Sequence, residues 1–231
     1  MIVCCGLTGS KGRMKEKLDA RISQDDIPRL YDSLSKTYDI WAKLAESKAR
    51  NRAIELAEIR NGQNILEVAV GTGLAFYEIV KRNPNGNNFG IDISPGMLDK
   101  AKHRLTKLSE ANYELKIGSA FDLDIESETI DLLMNNYMFD LMSYGDMDKV
   151  LKEFKRVLKR ENGKLILVNM TEGEHFGSNV YDLLFRLSPK TMGGCRGVKL
   201  SEKLKQHGFK VERREYYQQL LFPSEVIVAY N

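Results

Sequence analysis

The sequence predicts a single α/β domain whose mostly parallel sheet ends in an antiparallel hairpin. Three observations carry that expectation. From Gln63 onward, short apolar runs alternate with amphipathic stretches of helical period, the pattern of repeated β-α units. The last two runs, 209–218 and 226–230, are joined across Phe222-Pro223-Ser224, and so short a link permits only antiparallel pairing. The 231 residues are 42% hydrophobic and 29% charged. That is an ordinary globular composition, and a chain of this length buries roughly 70% of its unfolded surface without disulfide or metal staples.

Residues 1–13 precede the first helical pattern and read as a poorly ordered tail. Residues 14–60 read as a helical cap segment, with Leu30, Tyr31, Leu34, Tyr38 and Trp41 clustered on one face as an amphipathic helix requires. Residues 61–231 form the ligand-binding part of what is one structural domain overall. Its first strand is 64–69, followed by a helix over 73–81 and a second strand over 88–92 introduced by the turn residues Pro84-Asn85-Gly86. Ser94 is a natural N-cap and Pro95 a natural first helical residue. Met97, Leu98, Ala101, Leu105 and Leu108 make the buried stripe of the helix they start. Strands follow at 113–117 and 131–137, then a helix over 146–158 ending near Glu161-Asn162-Gly163, and a fifth strand over 164–170. Residues 171–197 are less regular, with one apolar run before Ser188-Pro189 and glycines around Cys195, and read as a short helix plus loop near the active site. A last helix over 199–207 stops at Gly208. The terminal hairpin completes the domain.

Charge and cysteine content narrow the function classes. The 35 basic and 32 acidic residues leave a net charge of +3, too even a balance to imply nucleic-acid binding through phosphate neutralisation. Cys4, Cys5 and Cys195 give neither a disulfide framework nor paired zinc-site spacings, which suits a reducing, cytoplasmic setting. The start, Met1-Ile2-Val3-Cys4-Cys5-Gly6, lacks the basic region and apolar stretch of a signal peptide, so neither secretion nor a membrane span is expected. Basic residues around 11–21 offer at most weak peripheral lipid contact, diluted by Glu16, Asp19, Asp25 and Asp26. His103 and His207 stand apart from any cysteine or acid constellation, so no metal is expected.

The chemistry concentrates in Ile65-Leu66-Glu67-Val68-Ala69-Val70-Gly71-Thr72-Gly73. After a buried strand, Gly71 and Gly73 let the backbone approach a ligand closely, and the next helix presents free amide groups to a polar or anionic group. Such turns also serve flavin and nicotinamide enzymes, or merely pack helix against strand. Asp92 closes the second strand about twenty residues on, where a carboxylate accepts from both hydroxyls of an adenosine ribose. Phe76 stands where the third glycine of a dinucleotide fingerprint belongs, and Glu67 is an acid at the first strand's end. Both favour S-adenosylmethionine: no pyrophosphate needs room, and Glu67 can balance an amino or sulfonium charge. Glu67 could equally tie down loop amides. Asp122 follows the third strand, placed to accept from an adenine amino group with Ala120 and Phe121 as apolar contacts. The other reading is a solvated acid among Asp124, Glu126 and Glu128.

Over roughly residues 31–231 the chain resembles the class I S-adenosylmethionine-dependent methyltransferases. The resemblance rests on Glu67-x-Ala69-x-Gly71-x-Gly73, Gly90-Ile91-Asp92-Ile93-Ser94, Gly118-Ser119-Ala120-Phe121-Asp122 and the turn at Leu158–Gly163 before the fifth strand. It implies a Rossmann-like seven-stranded sheet of order 3-2-1-4-5-7-6 with the last strand antiparallel, agreeing with the hairpin read independently. It also implies cofactor contacts at Ile93, at Met97 and, on the fourth strand, at Asn135. Ala69 replaces a frequent glycine, from which a slightly tighter loop is expected, and Glu161-Asn162 replaces a frequent Pro-Gly. Within the class, the segment from Tyr31 to Asp39 is similar to that preceding the fold in ubiquinone and menaquinone C-methyltransferases and in small-molecule or phospholipid N-methyltransferases. By that resemblance Tyr38 approaches the methionine moiety, although it could equally be a packing aromatic. The quinone enzymes carry a longer insertion than 171–197 before the last helix.

The fourth strand runs into Asn135-Asn136-Tyr137-Met138-Phe139-Asp140, where the carboxyl ends of a parallel sheet meet ligands. Methyl transfer from a sulfonium is an in-line displacement that chiefly needs alignment and exclusion of water, with a base required only for acidic or hydroxyl acceptors. Tyr137, Asp140 and His175 are the candidate catalytic groups, each with a bland reading: packing, capping and solvation in turn. The expected function is methyl transfer from S-adenosylmethionine, with S-adenosylhomocysteine as product, to a small-molecule or lipid-like acceptor. Two alternatives stay open, an NAD(P)-dependent oxidoreductase and a non-catalytic S-adenosylmethionine-binding protein. The sequence leaves the acceptor and the oligomeric state unspecified.

Overall fold

The computed structural model describes residues 45–108, 111–172, 196–220 and 222–231. The 1–13 tail, most of the 14–60 cap segment with Tyr38, and His175 lie outside these residues. The described chain begins with helix α1 (Ser47–Ala57), which buries Ala49, Ala53, Ile54 and Ala57, one face at helical spacing. Strand β1 (Asn64–Val68), helix α2 (Leu74–Arg82), strand β2 (Asn87–Asp92), helix α3 (Pro95–Leu105) and strand β3 (Tyr113–Ile117) follow. Then come β4 (Leu132–Asn136), a 3-10 turn (Phe139–Leu141), α4 (Tyr144–Val157), β5 (Lys164–Met170), α5 (Ser201–Gln206), β6 (Lys210–Gln219) and β7 (Phe222–Tyr230).

All seven strands form one sheet in the order β3-β2-β1-β4-β5-β7-β6. β1 to β5 are parallel, and β7 runs antiparallel to both β5 and β6. This is the predicted Rossmann-like topology. Because strand side chains alternate between faces, the sheet splits its core in two. Ile65, Leu132, Met134, Ile166 and Val228 pack with α1, α2 and α3. Leu66, Leu133, Leu165, Leu167 and Ile227 pack with α4 and α5 on the other side. Each such fully buried aliphatic side chain contributes roughly 1.5–3 kcal/mol.

Local chemistry sets the helix starts. Ser94 Oγ accepts from Met97 N at 3.2 Å, the predicted cap of α3. Ser143 Oγ accepts from Asp146 N at 3.1 Å, so α4 begins two residues earlier than the apolar periodicity alone suggested. The terminal hairpin corrects one expectation: β7 begins at Phe222, with Pro223 inside it opposite Gln218. The link turns instead at Leu220, whose φ is 54°. Pro223 sits one residue past the last β5–β7 pair, Met170 opposite Ser224, and its missing N–H ends the ladder there. Its carbonyl accepts from Thr171 N at 3.0 Å.

Two glycines explain close approaches near the carboxyl ends. A Cβ on Gly73, which has φ +80°, would stand 2.9 Å from Ala101, so the α2–α3 crossing needs glycine there. Gly90 leaves room for the ring of the fully buried Phe76, whose Cζ lies 3.0 Å from where a Cβ would be. Phe76 thus fills sheet space under α2.

Candidate functional site

The strand order reverses between β1 and β4, and ligands of open α/β sheets bind beyond the carboxyl ends at such a switch point. β1 emerges there into a loop in which Ala69 (φ 59°), Gly71 (φ 57°) and Gly73 (φ 80°) all adopt left-handed backbone. Alternate left-handed residues throw the chain into a shallow cradle. Ala69 accepts this geometry although an L side chain costs about 1 kcal/mol there. The loop is held at both ends: Val70 N donates to Ile91 O at 3.2 Å and Gly73 N to Val70 O at 3.0 Å.

Asp92 anchors the cradle from β2. It is 8% exposed, with Oδ2 accepting from Gly71 N at 2.7 Å and Oδ1 from Ser94 N at 2.9 Å. One carboxylate therefore joins the glycine loop to the start of α3 while one edge faces a cleft of about 820 Å³, part of it open to solvent. Met97, Ala120 and Phe121 supply an apolar slot beside it, Ile93 stands at its rim with 45% exposure, and Tyr137, Met138, Leu141 and Met142 form a second apolar wall.

On the other side of the loop a smaller compartment of about 350 Å³ shares Ala69, Gly71, Asn136 and Tyr137 with the first. Its polar lining is Glu46 and Arg50 from the α1 end of the chain, Glu67 and Thr72. Glu67 is 1% exposed. Its Oε1 accepts from Asn136 Nδ2 at 2.9 Å, whereas Oε2 and Asn136 Oδ1 have no hydrogen-bond partner among the described residues. Burial pushes the Glu67 carboxyl up to about 8, against the lowering pull of Asn136 and Arg50. Buried polar atoms without partners are expensive, and here they converge beside the smaller compartment. A group bearing positive charge or N–H donors satisfies them.

The remaining sequence candidates fall into three sets. Asn135 is buried but turned away, donating to Val68 O at 2.8 Å, and its neighbour Asn136 is the one that lines both compartments. Gly73 shapes the crossing of α2 and α3 without lining either space. Asp122 is exposed, its N–H donating to Ser119 O at 3.4 Å, one residue beyond the cleft-lining Phe121.

Of the catalytic candidates, Tyr137 reaches the cleft. Its backbone is left-handed (φ 53°), its N–H donates to Val168 O at 2.7 Å, and its hydroxyl shares a 2.9 Å hydrogen bond with Ser224 Oγ. Burial raises the phenol well above its ordinary value, so it holds its proton at physiological pH and is a poor base. Asp140 lines neither compartment. It is fully buried in the 3-10 turn, and its main-chain carbonyl accepts from Arg196. Sequence reasoning missed Arg50, Asn136 and the Met138, Leu141 and Met142 wall. The strand period could have found Asn136, because Ile65 and Glu67 share a face of β1 as Met134 and Asn136 share that face of β4. Among the described residues no group of His, Cys, Asp or Glu is placed to hold a metal, and no helix is long and apolar enough to cross a membrane.

A family profile described as a methyltransferase domain matches residues 59–209. The chain is similar to the demethylmenaquinone methyltransferase of Thermotoga maritima, 27% identical over 172 residues that cover 72% of each chain. Among solved structures it superposes on magnesium protoporphyrin IX methyltransferase from Synechocystis, with TM-score 0.62, 15% identity and 92% and 90% of the two chains covered. It also superposes on the [4+2]-cyclase SpnF, with TM-score 0.72, 14% identity and 93% and 99% covered. At such identities the superpositions establish a shared fold, and the cyclase shows that the fold alone does not dictate the reaction.

Proposed function

The chain belongs to the methyltransferase-domain family and is an S-adenosylmethionine-dependent methyltransferase; we propose that its acceptor is a small, largely apolar molecule of the quinol type. The observation that carries the acceptor reading is the wall of Tyr137, Met138, Leu141 and Met142 facing the cleft, where apolar and aromatic contact is the main means of recognition. The name of the Thermotoga relative supports the same class.

The residues present fit the cofactor. Asp92 presents a carboxylate edge to ribose hydroxyls, Met97, Ala120 and Phe121 bracket a flat base, Ile93 covers it from the rim, and Asp122 stands beside the slot for an exocyclic amine. Ala69 and Gly71 let the backbone approach. Glu67 and Asn136 face the cationic end, and Arg50 can pair with a carboxylate. When bound, S-adenosylmethionine supplies a methyl group on a positively charged sulfur, to be displaced in line by the acceptor.

The protein's own part is alignment and exclusion of water. Tyr137, fixed by Ser224 and packed on Phe222 at 5.7 Å between ring centres, keeps its proton and can donate a hydrogen bond to an acceptor oxygen without removing one. A quinol-type acceptor suits this arrangement because its ring carbon is already electron-rich, and the ring proton that the new methyl replaces leaves to solvent. The family and the antiparallel β7 set aside a nicotinamide oxidoreductase, whose sheet continues with parallel crossovers.

Calorimetric titration tests the cofactor assignment of these residues. S-adenosylmethionine and S-adenosylhomocysteine should bind in the micromolar range, and Asp92→Ala should weaken both at least tenfold. Undiminished binding by that variant would remove Asp92 from the site.

A further inference from the structure

Arg196 is the largest fully buried side chain among the described residues, at 1% exposure. A guanidinium is rarely withdrawn from water unless its donors are used. Here Nη1 donates to the Asp140 carbonyl at 3.1 Å, Nη2 to the Met142 carbonyl at 2.5 Å, and the residue's own backbone N–H again to Asp140 O at 3.2 Å. Those carbonyls belong to the 3-10 turn and its exit, a segment where acceptors are left over by the helix itself. The guanidinium carbon lies 5.1 Å from the centre of the Tyr144 ring at the start of α4, a cation-π contact. One side chain thus spans the Phe139–Leu141 turn, whose Leu141 and flanking Met138 and Met142 line the apolar wall of the cleft.

Arg196 is itself held by a strap running to Leu200. Val198 N donates to Met170 O at 3.0 Å, Asn169 Nδ2 to Val198 O at 3.3 Å, and Leu200 N to the buried Glu225 Oε1 at 3.4 Å. Gly197 passes so close to the end of β5 that a Cβ would meet Thr171 and Glu172 backbone at 2.8 Å. The strap is therefore fixed to β5 and β7, and Arg196 transfers that rigidity to the wall. None of these bonds touches the Gly71 loop, Asp92 or Glu67.

We propose that Arg196 is a positioning residue for the methyl acceptor: it sets the spacing of the Met138–Met142 wall and leaves the cofactor side of the cleft untouched. This rests on the acceptor reading given above. Lysine cannot reproduce the function, because a single ammonium on a flexible stem does not bridge two carbonyls in fixed geometry.

The test compares wild type with Arg196→Lys and Arg196→Met, using protein labelled with ¹³C at the methionine methyls and reduced demethylmenaquinone as the acceptor probe. For Arg196→Lys the Kd for S-adenosylhomocysteine should stay within twofold and the methyl signal of Met97 unmoved. The Met138 and Met142 signals should shift or broaden, and the KM for the quinol should rise at least tenfold with a smaller change in kcat. Unmoved Met138 and Met142 signals, an unchanged quinol KM, or an equal loss of S-adenosylhomocysteine affinity would overturn the proposal. If Arg196→Met does not fold, Arg196→Lys decides alone. If wild type methylates no quinol, the acceptor reading falls, and the methyl spectra with the S-adenosylhomocysteine Kd still decide the role of Arg196.

Discussion

Replacing Glu67 by glutamine should make the ligand-free protein more stable, and by an amount that grows with pH. The carboxyl is buried and its pKa is raised from 4.5 to about 8 by desolvation. Between those values the folded state keeps a proton that the unfolded state has lost. Stability contributed by this group is therefore complete below pH 4.5 and falls as pH rises towards 8. The linkage slope integrates to a cost of about 3 kcal/mol at pH 7 and about 5 kcal/mol above pH 8. Glutamine keeps the shape and the contact with Asn136 and carries no such penalty. Urea unfolding of wild type and Glu67→Gln from pH 5 to 9 reads the difference directly: the two should converge near pH 5 and diverge by about 3 kcal/mol at pH 7. Parallel pH profiles would mean that Glu67 is ionised in the folded protein at pH 7. The same carboxyl should ionise when a cation arrives beside it, so binding of S-adenosylmethionine at pH 7 should release close to one proton, measured by calorimetry in buffers of different ionisation enthalpy.

Three further outcomes follow from the loop and the wall. Gly73→Ala should cost about 2–3 kcal/mol, because the new Cβ enters Ala101 at left-handed backbone; an unchanged denaturation midpoint contradicts the crossing described. Ala69→Gly should gain about 0.5 kcal/mol, the left-handed cost relieved less the extra entropy of glycine in the unfolded chain, and a lower midpoint argues against strain at that residue. Tyr137→Phe removes the bond to Ser224 and should cost about 1 kcal/mol of stability. Its kcat should fall less than tenfold, whereas a thousandfold loss would make the phenol a proton-transfer group after all.

Sequence reasoning reached whatever is local or periodic. The strands over β1, β3 and β5, the Ser94 cap and the antiparallel finish are written in apolar runs, cap residues and link lengths, and these survive in the fold. The misplaced start of β7 has a local cause: proline reads as a breaker, and only the end of the neighbouring β5 makes Pro223 harmless. Which of Asn135 and Asn136 turns its side chain to the cleft is set by a single residue of register, because one step along a strand exchanges the two faces of the sheet. Arg196 was invisible for a different reason. Its partners at Asp140 and Met142 are 56 and 54 residues away, and no spacing rule joins a strap after β5 to a turn after β4. The unsatisfied Glu67 Oε2 likewise emerges only when β1, β4 and α1 are assembled, though the acid itself was legible as a candidate.

The claim that this cleft carries out methyl transfer to an apolar acceptor is tested most directly by incubating the protein with S-adenosylmethionine labelled in its methyl group and reduced demethylmenaquinone, then counting label in the organic extract. Label should enter the quinol fraction at a rate proportional to enzyme, with one S-adenosylhomocysteine formed per methyl transferred. Cofactor bound at micromolar affinity while the quinol remains unlabelled would rule out a quinol acceptor.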